Sequence, residues 1–486
     1  MSRTIPQVKK LKTLGDLRSR LAEVGAELPL VDAPLGAGGP LSEALTVRLA
    51  GRDRRVGNRF TVLPMEGWDG TVDGLPTELV ERRWARFGVS GAKLVWGGEA
   101  VAVQADGRAN PHQLTIHTDE HGEALGRLRA ALVAAHVAAT GDATDLVVGL
   151  QLTHSGRFCR PTAAGPAPVV AAPHPVLDAR LPLDGPAATI SDGQLDDLTG
   201  AFVSAAERAD AAGFDFVDVK ACHGYLGHEL LGAVDRPGPY GGSFENRTRF
   251  LRQTVAAISA AVPTIGVGVR LSAYDFVPFR SGPDGIGEPE PFERPYRHAF
   301  GGDGTGLGID LAEPKALLDV LAGLGVHLVC VTAGSPYYVP HIQRPAWFPP
   351  SDGYQPPEDP LVGVARMVRA AADLKAHRPD MVVVASGFTY LQEWIAHVAE
   401  PVVTTGGADS IGLGRMVLSY PELPTDLLAG RDFDRRRLCR TFSDCTTAPR
   451  AGLVSGCYPL DEHYKAMPER VELARVKKAV RAGAGT

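Results

Sequence analysis

FDFVDVKACHGYLGHELLGAVDRPGPYGGSFENRTRFL, residues 214 to 251, runs from a short apolar segment into a polar cluster and on toward a helix. The first eight residues have the length and β-branched content of a buried strand. The strand ends in Lys220, His223 and Tyr225, three proton-bearing groups within six residues. In a barrel of alternating strands and helices, the carboxyl ends of the strands form the face on which catalytic groups gather. As isolated residues the three have an equally simple structural explanation, since His and Tyr often brace a turn and Lys often tips into solvent.

Working outward, seven further apolar runs have the same character: residues 59 to 64, 92 to 98, 145 to 153, 264 to 272, 326 to 334, 381 to 387 and 409 to 415. Segments of helical period separate them, which is the pattern of parallel βαβ units. Ser191 opens one such helix with Gln194 three residues on, the signature of a capping box, and Leu195, Leu198, Phe202, Ala205 and Ala209 mark its buried face. Thr389 and Gln392 suggest a similar start after the seventh strand, and Leu125, Leu128 and Leu132 mark a helix before the third. Eight such units predict a closed (β/α)8 TIM barrel, placed at residues 51 to 430. Residues 1 to 50 form an amino-terminal extension with one helix at 14 to 24. Residues 277 to 312, dense in Gly and Pro, leave the fifth strand at its carboxyl end and suggest a lid or substrate loop. Residues 431 to 486 are a tail carrying Cys439, Cys445 and Cys457.

Composition narrows the partners. The net charge of -6 gives no bulk reason to expect nucleic acid or an acidic membrane, and no run reaches the ~18 apolar residues of a membrane helix. Six cysteines in 486 residues are too few for a disulfide framework. A cytoplasmic protein acting on a small molecule is expected, with a homo-oligomer left open.

The run from Lys220 through Tyr240 to Ser243 and Glu245 to Phe250 resembles the signature of the Old Yellow Enzyme family, in which a His-Gly-Tyr segment leads through Tyr-Gly-Gly-Ser into Glu-Asn-Arg-x-Arg-Phe. Segments 58 to 65, 98 to 103, 149 to 157, 268 to 276, 386 to 388 and 408 to 415 resemble its other strands in order. The resemblance implies FMN as cofactor, NADH or NADPH as reductant, and hydride transfer to an activated alkene. It assigns Pro64, Met65 and Ala100 to backbone against the flavin ring, Gln151 to its pyrimidine edge and Arg270 to the region that gains negative charge on reduction. Gly387, Phe388, Gly414 and Arg415 match its phosphate site. Lys220 and His223 would hold the substrate's oxyanion and Tyr225 would donate the proton. The same site run in the oxidative direction would serve a desaturase or an amine dehydrogenase. Outside flavin chemistry, Lys220 as the Schiff-base nucleophile of a barrel lyase is the remote alternative.

Three departures from the family pattern stand out. Lys220 replaces the first of a His pair, which favours an anionic substrate group. Glu66 stands where a hydroxyl or thiol tunes the flavin, and an ionised carboxylate there would lower the flavin potential unless turned away. Asp218, not itself a departure, lies on the same strand face as Lys220 and is a candidate partner for a buried Arg270. The tail resembles the cluster segment of dienoyl-CoA reductase and trimethylamine dehydrogenase in degenerate form. Cys445 and Cys457 keep the spacing of the last two ligands, but the two earlier positions read Leu438 and Thr441 and Cys439 is out of register. An iron-sulfur cluster is therefore not expected. A zinc site completed by His463 is the lesser alternative.

Overall fold

The computed structural model describes residues 5–183, 185–351 and 353–481. Eight parallel strands close into a barrel. The first, Phe60–Val62, pairs with the second and the eighth, and each of the others pairs with its sequence neighbours. The second strand is broken into Leu94–Val95 and Ala100–Ala102, both paired to the third, Val147–Thr153. The fourth to eighth strands are Phe216–Val219, Gly266–Ser272, Leu328–Thr332, Val382–Ala385 and Ser410–Leu413. All lie within the runs expected to be strands except Ala100–Ala102, which falls beyond the end of the second run at residue 98.

A strand buried on both faces needs apolar residues at every position, and the third and fifth strands are buried along their whole length. Two hydrophobic layers result. The larger lies between the strands and the outer helices. The smaller fills the barrel's lower interior, where Leu94, Val147, Phe216, Leu328 and Val382 meet Leu45, Val47 and Leu49 of an antiparallel hairpin, Leu45–Leu49 with Arg52–Val56. That hairpin plugs the barrel bottom, and its Ala50–Gly51 turn has positive φ at both residues. Its approach is close: a Cβ at Gly266 would lie 2.8 Å from Leu49 Cβ, so only glycine fits there. The amino-terminal helix, Leu14–Val24, is held to the barrel's outside by Arg20, whose Nε and Nη2 donate to Asp359 at 2.8 and 2.6 Å.

The helix Asp192–Ala211 begins with the expected capping box between Ser191 and Gln194, and Leu195, Leu198, Phe202, Ala205 and Ala209 are all buried. The start expected at Thr389 is not formed. Residues Phe388–Trp394 make a 3-10 turn in which Gln392 takes φ 54° and ψ -112°, and the α-helix begins only at Ile395. The reason is tertiary: the Gln392 carbonyl oxygen of the side chain accepts from Arg440 of the tail, so it does not reach back to cap the helix. Residues 277 to 312 carry a short hairpin, Phe279–Ser281 with Gly287–Pro289, on the catalytic face.

Ser191→Ala removes one arm of the capping box far from the catalytic face. It is expected to lower stability by about 1 kcal/mol with unchanged flavin content, as read by urea denaturation and the visible spectrum.

Candidate active site

A cavity of about 860 Å³ opens at the carboxyl ends of the strands. Its floor is set by one buried carboxylate. Asp218 Oδ2 accepts from Trp96 Nε1 at 2.7 Å and from Gln151 Nε2 at 2.5 Å, while Oδ1 accepts from the Arg270 main-chain amide at 2.6 Å. Burial pushes the Asp218 carboxyl up to about 6, against those three bonds. Asp218 was expected to pair with the Arg270 guanidinium, and it bonds that residue's backbone instead. The guanidinium reaches over to Pro64, donating from Nη1 to its carbonyl at 3.3 Å, and its Nε has no hydrogen-bond partner among the described residues.

Above this floor the chain turns sharply. His223 and Gly224 both have left-handed φ, 66° and 78°. A non-glycine residue there is strained and must be held. The His223 amide donates to Ser272 Oγ at 3.0 Å, and the Gly224 amide donates to His228 Nδ1 at 2.9 Å. The turn delivers Lys220, His223 and Tyr225 to the cavity wall. His223 Nε2 lies 3.2 Å from both Thr332 Oγ1 and Gln343 Nε2, and burial followed by the charge of Arg270 keeps its ionisation well below the ordinary range. Lys220 is 6% exposed and its Nζ sits 3.5 Å from the centre of the Tyr225 ring. Burial lowers its ionisation as well. The Tyr225 hydroxyl donates to Glu66 Oε2 at 2.6 Å and lies 2.8 Å from the Tyr337 hydroxyl, and Asn110 Nδ2 donates to Glu66 Oε1 at 3.3 Å. Glu66 is thus turned toward Tyr225.

At the other end of the cavity, Gly387, Gly414 and Arg415 lie just past the seventh and eighth strands. Arg415 Nη2 donates to the Pro345 carbonyl at 3.3 Å, while its buried Nη1 has no partner among the described residues. No acceptor among those residues takes the main-chain amides of Gly387, Phe388 or Gly414. Gly387 has φ 102°, a conformation reserved for glycine, which points its amide where a side-chain residue would not. Free amides beside an unsatisfied guanidinium fit a phosphate group. Phe388 differs from expectation in its side chain, which is fully buried in the outer core and does not line the cavity.

Pro64, Met65, Glu66, Ala100, Gln151, Lys220, His223, Tyr225, Arg270, Gly387, Gly414 and Arg415 all face this one cavity. Tyr337, Thr332 and Gln343 also line it, Asn110 joins it through its bond to Glu66, and none of the four was singled out from the sequence. Tyr337 and Thr332 sit at or just beyond the end of the sixth strand, the same positional signal that marked Tyr225. The tail closes the cavity's side: Cys445, Thr446, Arg450, Ser455 and Cys457 reach it, Trp68 donates its amide to Ser455 Oγ at 2.8 Å, and Arg82 forks onto Asp461 at 3.0 and 2.9 Å. Burial and the neighbouring thiols push Cys457 well up. Among the described residues no group of three or more His, Cys, Asp or Glu side chains is placed to hold a metal ion, so the zinc alternative with His463 finds no ligand set there.

A closed parallel barrel with free amides and a guanidinium past its last two strands and proton-bearing groups past its fourth is an arrangement that a flavoprotein oxidoreductase can use. Residues 51–282 match the model of the NADH:flavin oxidoreductase / NADH oxidase family. NADPH dehydrogenase from Bacillus pumilus (strain SAFR-032) is 29% identical over 350 residues, covering 69% of this chain and 82% of that protein. NADPH dehydrogenase from Bacillus subtilis (strain 168) is 28% identical over 66% of this chain and 76% of its own length. Over residues 51–282 the chain is thus similar to the NADH:flavin oxidoreductase / NADH oxidase family, and these likenesses support an FMN-dependent NAD(P)H oxidoreductase. In fold it is similar to a 2-naphthoyl-CoA reductase in complex with 2-naphthoyl-CoA (TM-score 0.64, 16% identity, 87% of this chain). It is also similar to histamine dehydrogenase from Rhizobium sp. 4-9 (TM-score 0.62, 20% identity, 86% of this chain). This chain spans 57% and 52% of those two.

Arg415→Ala removes the guanidinium beside these free amides while leaving the eighth strand intact. FMN affinity is expected to fall roughly tenfold to hundredfold, the worth of one or two charge-assisted bonds, with little change in unfolding midpoint of the flavin-free protein. Flavin content equal to that of the parent after gel filtration would remove Arg415 from the phosphate site.

Proposed function

We propose that this cavity reduces an alkene activated by an adjacent electron-withdrawing group, with NADH or NADPH as the source of electrons. The observation that carries the reading is the convergence of a buried ammonium, a neutral imidazole and a buried phenol on one cavity wall, presented by a single pinned turn. Bound FMN supplies the hydride. Gln151, Arg270, Pro64, Met65 and Ala100 hold its ring system in this proposal, and Gly387, Phe388 through its amide, Gly414 and Arg415 hold its phosphate.

Each chain residue then has a defined task. His223 donates a neutral hydrogen bond to the substrate's activating oxygen, and Lys220 supplies charge beside it as negative charge develops there. Among the described residues the Lys220 ammonium makes no ion pair with a carboxylate, and a buried ammonium gains from an anionic ligand, so a carboxylate-bearing alkene suits the site better than a neutral one. The same ammonium repels a protonated amine, which weighs against amine oxidation. Tyr225 gives its proton to the carbon that does not receive hydride. No helix among the described residues is long and apolar enough to cross a membrane, and the six cysteines are free thiols, in keeping with action in the cytoplasm.

For the tail we infer no iron-sulfur cluster, because its three thiols fall one short of the usual four ligands. Protein purified without oxygen is expected to contain neither stoichiometric iron nor acid-labile sulfide, and finding both would restore the cluster.

Tyr225→Phe keeps the ring and removes the proton. Stopped-flow reoxidation of the reduced flavin by an activated alkene is expected to slow ~10²- to 10⁴-fold, the contribution typical of a general acid. Reoxidation by dioxygen is expected to be spared. Equal losses in the two reactions would show that the hydroxyl only positions the flavin.

A further inference from the structure

Tyr225 is 2% exposed, and its phenol lines the cavity wall. Once it has given up its proton, it would stand as a phenolate in a buried site, 2.6 Å from a carboxylate oxygen. Burial first, and then Glu66, raise the cost of that phenolate, holding Tyr225 well above the ordinary phenol range. Lys220 lies over the face of the ring and eases the charge, but from the face of the ring it does not deliver a proton in line to the phenol oxygen. The proton must be replaced as it leaves. Among the described residues two side chains bond the phenol oxygen, Tyr337 and Glu66. Tyr337 is itself a poor source, since burial raises its ionisation too. Glu66 is half-buried, so it touches the phenol with one oxygen while remaining in reach of water in the cavity.

We propose that Glu66 is the proton reservoir of Tyr225, reprotonating the phenol as the phenol protonates the substrate, so that the protonation state of Glu66 sets which way the site runs. This rests on the alkene-reduction reading above. In that direction the Tyr225 O–H bond breaks as a C–H bond forms on the substrate. The O–H bond of the neutral Glu66 carboxyl breaks as the phenol O–H is remade, and Glu66 takes a proton from water. The hydride and its electron pair come from NAD(P)H through the flavin, so no other redox partner enters. With Glu66 ionised, the pair becomes a base: the carboxylate draws the phenol proton, and the phenol oxygen accepts one from a saturated substrate. Rising pH therefore disables reduction and enables the reverse. The titratable and polar groups that face Glu66 are Tyr225 and Lys220 from the fourth strand and its turn, Tyr337 from beyond the sixth strand, and Asn110 from the loop after the second. Arg450 of the tail acts on Tyr337 from behind.

The test is a double-mutant cycle across pH on the flavin-loaded enzyme, with cyclohexenone and cinnamate as the oxidising alkenes. In the parent, the rate of flavin reoxidation is expected to fall with rising pH, approaching tenfold per unit above the ionisation of Glu66. Glu66→Gln, which keeps the shape and loses the titration, is expected to be roughly tenfold to hundredfold slower at low pH and flat across the range. In the Tyr225→Phe background the same substitution is expected to have almost no further effect, because a residue that acts through the phenol has nothing left to act on. Independent, multiplying losses would overturn the relay. Infrared difference titration supplies a readout that needs no substrate. A protonated-carboxyl band that is absent in Glu66→Gln and whose midpoint moves in Tyr225→Phe supports the pairing, and a band that titrates identically with and without the phenol refutes it. If neither alkene reoxidises the parent, alkene reduction is the reading that fails, and the infrared titration still decides the pairing.

Discussion

The Asp218 carboxylate, buried in the barrel lumen, is the constraint on which the site depends. Its two oxygens take one donor each from the segment after the second strand (Trp96), the third strand (Gln151) and the fifth strand (the Arg270 amide), and the carboxylate itself sits on the fourth. Four consecutive barrel strands are thereby fixed in register at one level. A lone buried carboxylate is costly, and the upward shift to about 6 measures that cost after the three bonds have offset part of it. The arrangement orients the functional groups above it. Gln151 presents its remaining amide edge to the cavity, Arg270 is free to send its guanidinium across to Pro64, and Lys220, two residues on, emerges on the same face of its strand.

The catalytic face is then closed by parts of the chain far apart in sequence. The hairpin after the fifth strand brings Phe279 and Arg280 to the rim, and the loop after the third strand brings Phe158, stacked on Tyr337 with ring centres 4.0 Å apart. The tail crosses from Arg82 and Trp68 on one side to Trp347, whose amide donates to Thr441 Oγ1 at 3.3 Å, on the other. It buries the Cys439 and Cys457 thiols, which disfavours their thiolates.

Sequence periodicity captured the strands well because a doubly covered parallel barrel demands apolar residues at nearly every strand position, and that demand is local. The capping box at Ser191 was legible for the same reason: its two partners are three residues apart. The start at Thr389 was misread because Gln392, the residue that would complete the cap, is claimed by Arg440 from 48 residues away. The partner of Arg270 was misread similarly, since strand alternation places Asp218 on the right face but does not say which donor on the next strand wins it. Tyr337 and Asn110 carry no local pattern at all. Their meaning comes from the Glu66 and Tyr225 atoms they meet, and that meeting exists only in three dimensions.

The turn after the fourth strand shows how the barrel converts rigidity into chemistry. Two successive left-handed residues, one of them His223, form a backbone that would relax in an isolated peptide. Here Ser272 from the fifth strand and His228 from the following helix hold it at both amides, and Ser272 is itself anchored by donating to the Gly334 carbonyl at 3.0 Å. The strain is therefore carried by the fifth and sixth strands, whose register is set by the rest of the barrel. Because the turn is fixed, Lys220, His223 and Tyr225 are fixed with respect to one another, and the phenol meets Glu66 from the first strand's end without either side chain having to search for the other.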